Sequence, residues 1–156
     1  MRLLGVDLGT VRTGLAVADA EVAVATPLCT VKHSGLGEAV RAVATCVTNE
    51  QITDVVLGLP LDLAGHEGEA ARRAKQFAKA LQRRTGVRIH LWDERLSTAS
   101  AQRSLRSQGL RASSGRKVVD QVAATLLLQT YLDRERTRTA TGGIEDALPN
   151  GPEGED

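Results

Sequence analysis

The sequence predicts an α/β fold: a mixed five-stranded sheet, three antiparallel strands followed by parallel crossovers, with helices on both faces. Two observations support this. Three short strand-like segments come first and lie close enough in the chain to pair as an antiparallel meander. Helix-like segments then alternate with two further strand-like segments, as crossovers between parallel strands require. The 156 residues favour one domain with a sizeable core.

The first three strands follow from short apolar runs and the turns between them. Residues 3–8 are continuously apolar except for one aspartate and predict a buried strand. Turn-forming residues at 11–14 lead into a second strand over 15–19. A third strand is predicted over 25–32, where Pro27 indicates an edge position or a strand start, because proline cannot donate a ladder hydrogen bond.

Helices and strands alternate from residue 36 onward. Apolar residues at helical spacing predict helices over 36–51 and 69–84, and Gly86 ends the second helix. Continuous apolar runs predict strands over 54–58 and 88–93.

The C-terminal part contains two more predicted helices. One begins at Ser97 or Thr98 and runs to Gln108, and a long one spans 117–138 after a flexible basic loop at 110–116. The predicted domain is therefore 1–138. Residues 139–156 are acidic and rich in glycine, and we expect a disordered tail there.

The charge distribution favours a polyanionic partner. Residues 1–138 hold all 20 basic and 14 of the 19 acidic residues, a net charge of +6, whereas the tail carries −5. The stretches 70–92 and 95–119 hold seven and six basic residues and no acidic residue. A solvated helix face explains one such run, but two in one small domain favour binding to a polyanion such as nucleic acid.

Composition argues against several other classes. Aromatic residues make up 2% of the chain, too few for a base-stacking surface. No apolar run approaches the ~20 residues of a membrane-spanning helix, and no signal peptide precedes the first strand. The two cysteines lack a C-x-x-C spacing, and we expect them to be reduced, apolar side chains of a cytoplasmic protein.

Acidic residues occur at three places where apolar ones are expected. Asp7 lies near the end of the first strand, and Asp93 and Glu94 end the fifth. Side-chain alternation sends these last two to opposite faces, so spacing alone does not say which faces a site. Asp120 shares a helix face with apolar neighbours three, four and seven positions on. The structural alternatives are a turn cap at Asp7, an ion pair of Asp93 or Glu94 with Arg95, and a helix N-terminal acid at Asp120.

These carboxylates would converge if the last helix and the fifth strand both approach the end of the first strand. Three carboxylates together repel one another unless a cation neutralises them, and hard divalent ions such as Mg²⁺ or Mn²⁺ prefer such oxygen ligands. Two such ions ~4 Å apart activate water and stabilise the leaving oxygen in phosphodiester cleavage. The pattern therefore predicts a metal-dependent nuclease.

Four motifs in order strengthen this prediction: GVDLGTVRTGLA from Gly5, GLPLDLAGHEG from Gly58, DERLSTASA from Asp93 and KVVDQVAATLLLQTYL from Lys117. Together they resemble the YqgF/RuvX family, proteins of the RNase H-like fold that are provisionally described as pre-16S rRNA nucleases and as Holliday-junction-resolvase-like. The resemblance covers about residues 3–133.

The resemblance implies the residues of the site. It implies that Asp7, Glu94 and Asp120 are the catalytic and metal-binding set, and that they hold Mg²⁺ or Mn²⁺, as two ions. It thus favours Glu94 over Asp93. Unlike true RuvC resolvases, whose second acid closes the fourth strand, this chain closes that strand with Gly-Leu-Pro and places the acid after the fifth strand.

Other residues are expected to contact the substrate. Gly9 and Gly14 allow a tight turn with room for a phosphate beside Asp7, and residues 60–67 are expected to form a mobile loop over the site. The residues assigned to nucleic-acid binding are Arg12, Arg72, Arg73, Arg95, Arg103, Arg106, Arg111, Arg116 and Lys117.

The resemblance implies processing of the 5′ end of pre-16S rRNA. The alternative is resolution of four-way DNA junctions, which needs two symmetric nicks and therefore a homodimer. A non-catalytic nucleic-acid-binding module also stays open. The first motif further resembles the phosphate-binding hairpin D-x-G-T-x-x-x-G of actin-like ATPases and sugar kinases, but those proteins need a second such hairpin.

Overall fold

A computed structural model of the chain describes residues 1–96 and 113–140. Its elements in chain order are β1 (Arg2–Leu8), β2 (Arg12–Asp19), β3 (Thr26–Lys32), α1 (Leu36–Asn49), β4 (Asp54–Leu59), α2 (Glu69–Thr85), β5 (Arg88–Asp93), a 3₁₀ turn (Glu94–Leu96) and α3 (Ser113–Ala140).

The five strands form one sheet in the order β3-β2-β1-β4-β5. β2 is antiparallel to both β1 and β3, whereas β4 is parallel to both β1 and β5. This confirms the predicted mixed sheet. β3 lies at an edge of the sheet, as Pro27 indicated.

Helices cover both faces of the sheet, as predicted. α1 and α2 pack on one face around the fully buried Phe77, which we call the α1–α2 face. α3 packs on the other face, the α3 face, through Ala123, Ala124, Leu127 and Leu128, all fully buried. Gly86 ends α2 in a left-handed conformation, with φ of +77°.

The second strand differs from the prediction. β2 begins at Arg12, because the β1–β2 ladder continues through the pairs Leu8–Thr13 and Asp7–Gly14. Gly14, which counted as a turn residue in the sequence, is therefore a strand residue. The absence of a side chain at Gly14 allows α3 to pack directly against the strand and is not needed to reverse the chain.

The last helix is longer than predicted at both ends. Residues 113–116, expected in the basic loop, form its first turn, and residues 139–140, assigned to the tail, still belong to it. Serine is favoured at helix N-termini, so the Ser-Ser pair there is as compatible with a helix start as with a loop. The predicted helix ending at Gln108, the rest of the basic loop and the tail over 141–156 lie outside the described residues.

Two further expectations concern membranes and cysteines. Among the helices in the described ranges, none combines the length and apolar character needed to cross a membrane. Cys29 and Cys46 are both free and partly buried. Burial raises the pKa of Cys46 to about 11, so this thiol stays protonated near neutral pH.

Candidate active site

Asp7 lies in a row of three sheet positions on the α3 face. It is the last but one residue of β1 and pairs with Gly14 of β2. On its other side β4 runs parallel to β1, with Val6 opposite Leu57, so Gly58 is the next position along. Strand alternation directs Asp7, Gly14 and Gly58 to the α3 face. Although only 3% exposed, Asp7 therefore has glycine, not a bulky side chain, as its neighbour on each side.

Asp120 is brought to this row by the contact between α3 and Gly14. A Cβ atom built on Gly14 would lie 2.1 Å from the carbonyl oxygen of Asp120, so the helix backbone rests directly on the glycine. Asp120 is 3% exposed. Because Gly14 is the pairing partner of Asp7, this contact places Asp120 next to Asp7 and confirms that it lies on the inward face of the helix.

Glu94 reaches the row from the opposite side. It is the first residue of the 3₁₀ turn after β5 and is also 3% exposed. A Cβ atom built on Gly58 would lie 2.3 Å from Glu94 Oε2, so the carboxylate occupies the space that a side chain at this position would fill. Gly58 is one strand from Asp7, a spacing of about 4.8 Å. We call Asp7, Glu94 and Asp120 the acid row.

The structure distinguishes Glu94 from its neighbour Asp93. Asp93 pairs with Leu59, whose side chain packs on the α1–α2 face. Its Oδ2 accepts a hydrogen bond of 2.7 Å from Arg95 Nη2, and the hydrogen bonds from Arg95 lower the pKa of Asp93. The predicted ion pair with Arg95 thus belongs to Asp93, and Glu94 is the residue on the α3 face. Spacing alone could not decide this, because alternation sends the two side chains to opposite faces without saying which face carries the site.

The acid row matches the chemistry of a hard divalent cation but is not assembled around one point. Its donors are all carboxylate oxygens, they are buried, and they lie on one face of the sheet. Each of the three residues takes part in hydrogen-bonding or electrostatic interactions. Within residues 1–96 and 113–140, no three His, Cys, Asp or Glu side chains are grouped closely enough to hold a metal ion. Binding an ion therefore requires these side chains to turn towards one another.

The loop after β4 is folded by its own hydrogen bonds. Asp62 Oδ1 accepts from the N–H groups of Ala64 and His66 at 2.9 and 2.8 Å, and Leu61 forms a bridge with Glu67. Arg95 Nη1 donates to the carbonyl of Leu63 at 3.4 Å. The loop is therefore held by internal hydrogen bonds and contacts Arg95 just after β5. The sequence did not predict these contacts.

Arg12 is a predicted nucleic-acid ligand that lies on the same face of the sheet as Asp7. It precedes Gly14 by two residues in β2, so alternation places it on the same face of the sheet. Its Nε atom is buried and has no hydrogen-bond partner among the described residues. A buried donor of this kind suits an anionic oxygen.

The other predicted ligands lie elsewhere. Arg72 is exposed on α2, where it and the half-buried Arg73 line a cavity of about 300 Å³ with Leu36, Glu69 and Gln76. Arg95 is exposed and engaged with Asp93 and the loop. Arg116 and Lys117 fall in the first turns of α3, whose described side chains begin at Asp120. Arg103, Arg106 and Arg111 lie outside the described residues.

Two buried polar groups were missed by the sequence analysis. His33 Nε2 lies 2.7 Å from the hydroxyl oxygen of Thr13, and both side chains are buried. Asp54, at the start of β4, is 1% exposed and accepts hydrogen bonds from His90 at 3.0 Å and Arg88 at 3.3 Å. Burial alone would raise the pKa of Asp54, but these partners lower it overall. The only sequence signal was a polar residue at the boundary of a predicted strand: Asp54 is the first residue of one, and His33 directly follows another.

The burial of His33 gives the folded protein a predicted pH dependence. Burial, and then the positive charge of Arg73 on α2, lower the pKa of His33, while Glu38 on α1 opposes this. An unfolded histidine titrates near pH 6.5, so below about this pH the unfolded chain binds a proton that the folded chain does not. Stability therefore falls as the pH falls. We expect the melting temperature to drop more for the wild type than for His33→Gln between pH 7.5 and 5.5. Equal drops in the two proteins would contradict this assignment.

Comparison with known proteins identifies relatives over most of the chain. Residues 1–134 match the family model RuvX, described as Holliday junction resolvase. A protein of Anaeromyxobacter dehalogenans is 46% identical over 134 residues, covering 86% of this chain and 98% of its own. One of Myxococcus xanthus is 43% identical over 136 residues, covering 87% and 90%. Both carry the provisional name pre-16S rRNA nuclease.

Two solved structures with the same fold are Holliday junction resolvases. RuvC of Thermus thermophilus, solved in complex with a Holliday junction substrate, aligns with a TM-score of 0.54 at 18% identity, covering 86% of this chain and 96% of that one. The fowlpox virus resolvase aligns with a TM-score of 0.51 at 16% identity, covering 86% and 99%. These likenesses confirm the predicted RNase H-like fold.

Proposed function

We propose, from the premise that this chain belongs to the RuvX family, that it is a divalent-metal-dependent endonuclease acting on structured nucleic acid. The family is one of nucleases, and the observation that carries the proposal is the acid row. Three carboxylates, each 3% exposed, lie on one face of the sheet beside two glycines. Carboxylate oxygens are the ligands that hard divalent cations such as Mg²⁺ and Mn²⁺ prefer.

A cation is needed for this site to act on a phosphodiester. The acid row alone would repel the anionic phosphate, whereas a neutralised row would accept it. We propose that Asp7, Glu94 and Asp120 hold Mg²⁺ or Mn²⁺, as two ions. A bound ion would activate a water molecule and stabilise the leaving oxygen.

Residues of the chain then orient the substrate. Arg12, on the same face as the acid row, donates its free Nε–H to a phosphate oxygen. Arg72, exposed on α2, and the basic residues from Arg95 to Lys117 bind the phosphate backbone. With so few aromatic residues, recognition rests on backbone and shape rather than on stacked bases.

The proposed substrate is precursor 16S rRNA, cleaved at its 5′ end. The name shared by the relatives supports this choice, and their identity of 43–46% extends over most of both chains. A cytoplasmic location is part of the proposal. The second candidate is a four-way DNA junction, favoured by the description of the matching family model. That activity would require a two-fold dimer that places two acid rows on one junction.

A parallel cleavage assay tests the proposal. The purified protein is incubated with a precursor 16S rRNA fragment and with a synthetic four-way junction, each with Mg²⁺ or Mn²⁺, and Asp120→Asn is the control. We expect cleavage of the RNA that leaves a 5′-phosphate and a 3′-hydroxyl and stops when the metal is chelated. Cleavage of the junction alone would establish the second candidate. Binding without cleavage of either substrate, or the opposite end chemistry, would overturn the nuclease assignment.

A further inference from the structure

On the α1–α2 face of the sheet, opposite the acid row, a set of hydrogen bonds contacts the turn between β1 and β2. Arg73 Nη2 of α2 donates to the carbonyl oxygen of Gly9 at 3.2 Å. The N–H of Gly9 donates to the Thr13 hydroxyl at 3.4 Å, and that hydroxyl lies 2.7 Å from His33 Nε2. The backbone N–H of His33 donates to the carbonyl of Val11 at 3.0 Å. We call Thr13, His33 and Arg73 the hairpin brace.

The hairpin brace is built from polar groups in a place where apolar ones would pack. Thr13 is fully buried and His33 is 5% exposed. A buried hydroxyl or imidazole costs stability unless it is hydrogen-bonded, and an apolar pair of similar volume would avoid that cost. Hydrogen bonds differ from apolar contacts in that they fix direction and distance, so the bond between Thr13 and His33 Nε2 favours one geometry, whereas His33 Nδ1 is buried and has no partner among the described residues.

The geometry that it fixes is the turn between Asp7 and Arg12. This turn is very tight, because a Cβ atom on Gly9 would lie 2.1 Å from the carbonyl oxygen of Arg12. The brace contacts the backbone of Gly9 and Val11, so the connection from the acid row to Arg12 is held at two points. A shift of either point would move Arg12 relative to Asp7.

We propose that Arg73, together with the buried Thr13–His33 pair, is a positioning unit that sets the distance between the acid row and the phosphate-binding Arg12. The inference rests on the proposed function and divides the two neighbouring arginines of α2 between different roles. Arg72 is exposed and contacts nucleic acid, whereas Arg73 is half-buried and uses one of its five donors on the Gly9 carbonyl. The brace therefore controls turnover rather than affinity.

Steady-state kinetics of cleavage separate these roles. Arg73→Met and Thr13→Val are expected to lower kcat by about 10–100-fold, as small misplacements of reacting groups do, and to leave KM within about twofold. Arg72→Met is expected to raise KM. Lys79→Met, which removes an exposed charge of the same helix, is the matched control and should leave kcat unchanged. Thr13→Ser keeps the hydroxyl and should restore kcat.

Hydrogen exchange gives a test that does not depend on activity. In Arg73→Met the amides of residues 9–12 should exchange faster than in the wild type, whereas in Lys79→Met they should not. If the wild type cleaves neither substrate, the proposed function is wrong, but hydrogen exchange still tests whether Arg73 restrains the turn. If the wild type cleaves and Arg73→Met changes only KM, or leaves exchange at the turn unchanged, the brace is wrong. Arg73→Lys is the second variant should Arg73→Met fail to fold.

Discussion

Replacing any one carboxylate of the acid row by its amide is expected to lower cleavage at least about 10²–10³-fold, as removal of one preorganised electrostatic group does. The variants are Asp7→Asn, Glu94→Gln and Asp120→Asn. Each amide keeps the shape of the side chain but loses the charge that a cation requires. Since all three groups are 3% exposed and lie on one face, each loss should affect the same step. Initial rates at saturating substrate measure the effect.

The same variants are expected to fold, and this separates a catalytic role from a structural one. Each amide keeps the shape of the carboxylate and can still accept hydrogen bonds, so without metal the melting temperature should change little. Adding Mg²⁺ or Mn²⁺ should stabilise the wild type, because a ligand that binds only the folded state raises its stability, and should stabilise the variants less. Asp93→Asn is the matched control, because Asp93 is held by Arg95 away from the row. Variants that unfold, or that cleave like the wild type, would show that the row is structural.

The sheet was largely predictable because each strand has a local signal. The apolar runs before Gly9 and around residues 54–58 and 88–93 match β1, β4 and β5 to within a residue at each end. The start of β2 was not predictable, because a glycine in a strand and a glycine in a turn look alike in sequence. Gly14 is a strand residue that packs against α3, and a contact between such distant parts of the chain leaves no signal in the local sequence.

The acid row was predictable in part. Asp7 and Asp120 stood out because a charged residue interrupted an apolar pattern. Asp93 and Glu94 both stood out as acids at the end of the fifth strand, and only the family resemblance favoured Glu94. Alternation could not choose between them, because it does not say which face of the sheet carries the site. The Thr13–His33 contact was not predictable, because its two residues are 20 positions apart and neither breaks a pattern.

Gly14 and Gly58, the two glycines beside Asp7 in the sheet, make room for different kinds of atom, and alanine at each position is expected to have a different effect. At Gly58 a Cβ atom would meet Glu94 Oε2 at 2.3 Å and Leu127 Cδ1 at 2.9 Å, both ends of side chains that can rotate. At Gly14 it would meet the carbonyl oxygen and carbon of Asp120 at 2.1 and 2.5 Å, which are backbone atoms of a packed helix. A side chain at Gly58 therefore displaces the acid, and one at Gly14 displaces the helix.

Gly58→Ala is accordingly expected to lower cleavage about 10²-fold, the effect of misplacing a reacting group by an ångström, at a cost of about 1–3 kcal/mol in the free energy of unfolding. Gly14→Ala is expected to cost about 3 kcal/mol or more, because overpacking against backbone cannot be relieved by rotation. Urea titrations give both free energies, and cleavage is compared below the melting temperature of each variant.

The matched control is Gly37→Ala in α1, where the nearest atom to a new Cβ is 3.8 Å away on the side chain of Arg41. Alanine should stabilise that exposed helix position by about 0.5–1 kcal/mol and leave cleavage unchanged. Gly14 and Gly58 are both strand residues and differ in what lies above them, whereas Gly37 is a helix residue with space for a Cβ atom. If Gly58→Ala cleaves normally, the Glu94 carboxylate does not need its place above Gly58, and its assignment to the acid row is wrong. If Gly14→Ala is as stable as Gly37→Ala, α3 does not rest on Gly14, and Asp120 loses the contact that brings it to Asp7.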